Sequence, residues 1–178
     1  MQKVYFRKSK TMTDSPREDN EKILHFSLQD SLPAGHTLAL NTMFGTVSYL
    51  VTEGNIPRLV RQEQFTNTEM SVLMPLLELF PYYCPYEVLY ASFYGSGKVT
   101  DSNVARARER LQEAQEAGTW DQEMRPVRCA LSRTRLKMRS FGVDISSILA
   151  TGYILMVVTE HEEEAYAAAM PKKEHMLV

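Results

Sequence analysis

The hydrophobic period changes at Phe65, and this switch limits the chain to a sheet followed by helices. Before it, ILHFSL (23–28), HTLAL (36–40), TVSYLV (46–51) and RLV (58–60) are short and rich in β-branched and aromatic residues. They are separated by SLPAG, NTMFG and TEGNIP, which are turn-forming stretches, so a small antiparallel sheet is the economical reading. After it, FTNTE (65–69) marks a helix start, with Thr66 or Thr68 as N-cap and Glu69 in the first turn, where a carboxylate favours the helix dipole. Met70, Leu73, Leu76 or Leu77, and Phe80 then recur at three-to-four spacing as one apolar stripe. Pro75 interrupts that stripe and Pro81 closes it.

Cys84-Pro85-Tyr86-Glu87 opens a second, short helix that carries Val88, Leu89, Ser92 and Phe93 and ends at Gly95. Beyond the loop GSGKVTDSN, Asn103 to Ala117 has strong helix formers and few apolar residues, with Arg106, Arg110 and Glu113 spaced for pairing on one face. A mostly exposed helix ended by Gly118 is expected. The next helix starts at Pro126. Val127, Leu131, Thr134 and Met138 form its inward stripe, leaving Arg128, Ser132, Arg135 and Arg139 on one flank and Ala130, Arg133 and Lys137 on the other. Phe141-Gly142 ends it. Val143 to Ser147 and Tyr153 to Val158 read as two strands joined by the tight connection Leu149-Ala150-Thr151-Gly152.

That last helix holds the most unusual charge in the chain. Arg125, Arg128, Arg133, Arg135, Lys137 and Arg139 occur with no acid before Asp144, in a protein of net charge −2. A basic helix on a slightly acidic chain is a focused electrostatic site, and the partner it suggests is a polyanion, nucleic acid foremost. The pI of 6.1 argues against a protein that coats DNA over its whole surface. With 178 residues, 44% of them hydrophobic, the chain suits one domain plus extensions. Residues 1–22 are polar, with Lys3, Arg7, Lys8 and Lys10, and read as a flexible basic arm; 159–178 read as an acidic extension. Cys84 and Cys129 lack metal-ligand spacing and read as reduced thiols of a cytoplasmic protein. No stretch approaches the ~18 apolar residues of a membrane span.

The order of these elements, and several motifs within it, resembles the winged-helix DNA-binding domain of OmpR/PhoB-type response regulators. FTNTEMSVLMPLLELFP is similar to the family's first helix, PYEVLYASFYG to its second, and ALSRTRLKMRSFGVDISSILATGY to its recognition helix and wing. The resemblance runs from about His36 to Val158. It implies an α+β fold: a winged helix-turn-helix over residues 23–158, with an N-terminal antiparallel sheet, three core helices and a C-terminal β-hairpin wing. It also implies double-stranded DNA as partner, with the 126–140 helix in the major groove, where arginine bonds guanine bidentately. Carried over by position, Arg133 and Ala130 face bases with Arg128 and Cys129 near them. Arg135, Lys137 and Arg139 take phosphate contacts or framing salt bridges, and Thr151 in the wing turn is the hairpin's DNA-binding residue.

Three features depart from the family. Leu149 stands where the wing usually carries an arginine, followed by Ala150 where glycine is usual. Residues 96–125 form a helical insertion, a surface for RNA polymerase, another protein or a second copy in a homodimer. No receiver domain precedes the fold, so aspartate phosphorylation is not the expected input.

Other chemistry is weaker. Gly95-Ser96-Gly97-Lys98-Val99-Thr100 lacks the first glycine and the hydroxyl residue after lysine that a phosphate loop needs, having Ser92 and Val99 there. His161-Glu162-Glu163-Glu164 lacks a second histidine for zinc. His25, His36 and His175 have no partners at catalytic spacing, Cys84 reads as a packed thiol, and Trp120 as an anchor. No nucleophile, base and orienting group assemble, so neither an enzyme nor a cofactor is expected. The alternative to a DNA-binding transcriptional regulator is a winged-helix protein-interaction module.

Overall fold

A computed structural model describes residues 23–29 and 31–158. The arm and the acidic extension lie outside the described residues. The fold is α+β, with a four-stranded antiparallel sheet, four helices and a second, three-stranded antiparallel sheet.

The first sheet is a meander of β1 (Ile23–Phe26), β2 (His36–Asn41), β3 (Thr46–Glu53) and β4 (Ile56–Gln64) in sequential order. Its turns are chemically specified. Asn41 Oδ1 accepts from the Met43 and Phe44 amides at 3.0 and 3.1 Å, and Gly45 follows at φ +62°. A side chain on Gly45 would collide with the Phe65 carbonyl oxygen at 2.6 Å. Gly54 and Asn55 both take positive φ, as the tightest hairpin turns require. Leu38, Leu40 and Val47 fill the covered face. β4 is longer than its RLV stretch suggests and is exposed along almost its whole length.

The helix α1 (Asn67–Leu79) begins with Thr66 as N-cap, which settles the choice between the two threonines. Glu69 N–H donates to Thr66 Oγ1 at 3.3 Å and Thr66 N–H to Glu69 Oε2 at 2.8 Å, a reciprocal capping box. Val72, Leu73, Leu76 and Leu77 are buried, and the helix runs through Pro75 without ending. A two-residue strand, β5 (Cys84–Pro85), precedes α2 (Tyr86–Tyr94) and pairs with the hairpin described below. The sequence carries no signal for it.

The helix α3 (Asp101–Glu116), capped by Thr100, is exposed apart from one seam, Ala107, Leu111 and Ala114, and packs mainly on α2. A three-residue turn then leads into α4 (Trp120–Arg139). β6 (Val143–Ile148) and β7 (Gly152–Val157) form the hairpin, and β7 lies between β6 and β5. One hydrophobic core joins the sheet face, α1, α4 and the hairpin through Leu40, Leu73, Val127, Met138 and Ile145.

Candidate nucleic-acid interface

The basic helix starts at Trp120, six residues before the expected Pro126, and passes through that proline. Its first turn is held by tertiary contacts that the sequence does not advertise. Trp120 meets Tyr86 edge-on at 5.1 Å, Arg128 lies 5.4 Å over the indole, and Arg128 Nη2 donates to Asp121 Oδ1 at 2.7 Å. Glu123 accepts from Tyr90 Oη and from Arg110 Nε at 3.1 Å, which ties α4 to α2 and α3. Burial, with Glu123 beside it, pushes the Tyr90 hydroxyl up to about 12. Asp121 and Glu123 in the first turn and Lys137 and Arg139 in the last both favour the helix dipole.

Met124, Val127, Ala130, Leu131, Thr134 and Met138 are buried along the inner face. Ala130 is therefore misplaced by the sequence reading, which put it on a flank facing bases: it is 0% exposed. It lies three residues from Val127 and four from Thr134, and at 3.6 residues per turn both spacings fall inside the buried stripe. The Thr134 hydroxyl has no hydrogen-bond partner among the described residues.

The two flanks of α4 each meet one buried carboxylate. On one side Lys137 Nζ is 2.6 Å from Glu69 Oε2 and Arg133 Nε is 3.6 Å from Oε1. Lys137 also donates to the Gln64 carbonyl at 2.8 Å and lies 5.1 Å over the Phe65 ring. Burial pushes the Glu69 carboxyl upward, but the bonds from Lys137 and Thr66 outweigh it and hold the group below its ordinary value. On the other side Arg135 grips Asp144 through Nε at 2.6 Å and Nη2 at 3.0 Å, and Arg139 reaches the same oxygens at 3.2 Å. Burial again works against the charge, yet Arg135, Arg139 and the Ile145 amide carry the Asp144 carboxyl down to about 2. Arg135, Lys137 and Arg139 thus form the framing salt bridges.

The outward face of α4 consists of Gln122, Arg125, Pro126, Cys129, Ser132, Arg133 and Leu136. Arg133 keeps 58% of its side chain exposed, and Cys129 is exposed beside it. Arg125, which the sequence reading counted in the basic run but gave no site role, and Leu136, 69% exposed and not singled out, share this face. Outward position at helical spacing from Arg133 would have found both.

The hairpin is tied down at its root and bare at its tip. Pro85 pairs with Gly152, where any side chain would overlap the Cys84 carbonyl oxygen, so only glycine fits between β5 and β7. At the tip Thr151 N–H donates to the Ile148 carbonyl at 3.1 Å and Thr151 Oγ1 to the Leu149 carbonyl at 3.0 Å. Ala150 sits at φ +54° and Leu149 is 93% exposed.

Elsewhere, the 95–100 loop follows a helix, not a strand, and Cys84 is buried with its thiol pushed up to about 12 by burial. Among the described residues no group of three or more His, Cys, Asp or Glu is placed to hold a metal, and no helix is long and apolar enough to cross a membrane. Comparison with the patterns of known protein families, with curated proteins and with solved structures gives no match.

Proposed function

We propose that this is a duplex-DNA-binding transcriptional regulator of winged-helix type, acting in the cytoplasm through α4 in the major groove. The observation that carries the reading is a twenty-residue helix with one uncovered face bearing Arg125 and Arg133, followed directly by a hairpin. A helix fits the major groove, and an arginine with more than half of its side chain exposed can reach base edges there. The order of sheet, helix, short helix, helix and hairpin supports the same assignment.

On this reading the cations take different roles. Arg133 is the base reader and Arg125 a phosphate contact, with Cys129 and Ser132 between them on the outward face. Lys137, Arg135 and Arg139 set the angle at which α4 stands. Gel shifts on random and genomic duplexes test this. Arg133→Ala should relax sequence preference at a cost of roughly 1–3 kcal/mol on the preferred site, and Arg125→Ala should weaken all sequences evenly. The reading fails if no duplex is bound, or if neither change alters binding.

A protein-interaction module is the second reading, favoured by exposed Leu136 and Leu149 on the helix and hairpin tip. Here α3 and the hairpin would be working surfaces, with RNA polymerase or a second copy among the partners. Stoichiometric co-purification of a protein, lost in Leu136→Glu and insensitive to Arg133→Ala, would decide for it.

A further inference from the structure

The hairpin tip presents an apolar side chain where charge would be expected beside a basic helix. Leu149 is 93% exposed, more than any other large apolar side chain among the described residues. From Ile145 to Val158 the sequence has no charged residue, so the hairpin beyond Asp144 has no cation with which to hold a phosphate. The turn is fixed by the two Thr151 bonds to the Ile148 and Leu149 carbonyls, and Ala150, the residue between, is too small to cover its neighbour.

The tip stands beside the first half of α4. β6 packs on that helix, and Asp144, near the start of the strand, is level with Arg135 and Arg139, which bind it. Ile148 lies four residues farther, about 13 Å at 3.3 Å per residue. The same distance back along α4 is about nine residues at 1.5 Å each, from Lys137 to Arg128. Ring contacts agree with this placement. Tyr153, which pairs with Ser147 near the tip, meets Tyr86 at 5.9 Å; Tyr86 meets Trp120 at 5.1 Å, and Arg128 lies over Trp120. The outward face of this half carries Arg125, exposed and without an ion pair among the described residues.

A duplex lying on that face meets leucine at the hairpin tip. Leucine gains nothing from a phosphate but gains burial between base pairs, and proteins that wedge an apolar side chain into a base step unstack it and kink the duplex. We propose that Leu149 is such a wedge, inserted between two base pairs beside α4, and that it makes the protein prefer a flexible step at a position no cation reads. The wedge rests on the DNA reading above. Pyrimidine–purine steps, TA and CA/TG, unstack most readily, so the selection works through deformability and not through hydrogen bonds.

With so little of its surface covered, Leu149 contributes little to the fold, and Leu149→Ser should melt with the parent. The probe is a duplex of about 30 base pairs, recovered by the full chain from a random pool, with a fluorophore at each end and 2-aminopurine placed at each step in turn. The parent should shorten the end-to-end distance as a kink of roughly 20–90° does, and raise 2-aminopurine emission at one step. Leu149→Ser should bind the same duplex straight with emission unchanged, and Leu149→Met should keep both signals. Replacing the flexible step by a stiff A-tract step should cost the parent about tenfold in affinity and Leu149→Ser nothing. A duplex bound straight by the parent, or bent equally by Leu149→Ser, overturns the wedge and leaves the DNA reading standing. Binding of no duplex at all removes the DNA reading, and the wedge falls with it. If Leu149→Ser releases a co-purifying protein while the geometry of bound duplex is unchanged, the tip belongs in a protein pocket and the wedge is overturned.

Discussion

Asp144 shows how one side chain fixes the working geometry. It accepts from two arginines of α4 and from its own strand, so the root of the hairpin and the last turns of the helix share an anchor. Its carboxyl titrates at about 2 in the folded chain, against 3.8 ordinarily. A depressed folded value means the stabilisation is fully present above about pH 4 and is lost as pH falls towards 2; at about 1.4 kcal/mol per unit it amounts to roughly 2 kcal/mol. Urea unfolding across that window should show the loss in the parent and a flatter profile in Asp144→Asn. Gly152 constrains in a different way, since a methyl group there has nowhere to go. Gly152→Ala should cost several kcal/mol, read as a lowered melting temperature, and should detach β5 while leaving the first sheet intact.

At the scale of elements, α4 is the informative case. Lys137→Met leaves the buried Glu69 with the Thr66 amide and the looser Arg133 contact, so it should lower stability by roughly 1–3 kcal/mol in thermal unfolding without DNA present. A phosphate-contacting lysine would leave stability unchanged. The strands before Phe65, the start of α1 and the inward positions Val127, Leu131, Thr134 and Met138 of α4 were legible because period, turn chemistry and cap signals are local, whereas the reciprocal capping box and the burial of Ala130 were not read. The start of α4 was not, because Pro126 is a strong local start signal, whereas the contacts that extend the helix to Trp120 come from Tyr86, on another helix. β5 is two residues long and exists only through its pairing with Tyr153 and Gly152. The basic run was visible as charge. That Glu69 and Asp144 engage four of its cations was not, since no pattern links position 69 to 133 and 137.

For the whole molecule, those pairings limit how much of the helix charge an outside polyanion meets. Two or three phosphate contacts imply a salt slope of about −2 to −3, and titration of duplex affinity against salt concentration measures it. A slope near −6 would mean that the framing pairs open on binding. Glu69 has the widest consequence. The same carboxylate closes the cap of α1 and receives Lys137, which in turn holds the last residue of β4. Fraying of the α1 terminus and the tilt of α4 are therefore one thermodynamic variable. Damage to Thr66 and to Lys137 should not add, and a disturbance at the sheet edge reaches α4 through Lys137 and passes on to α1 through a single acid.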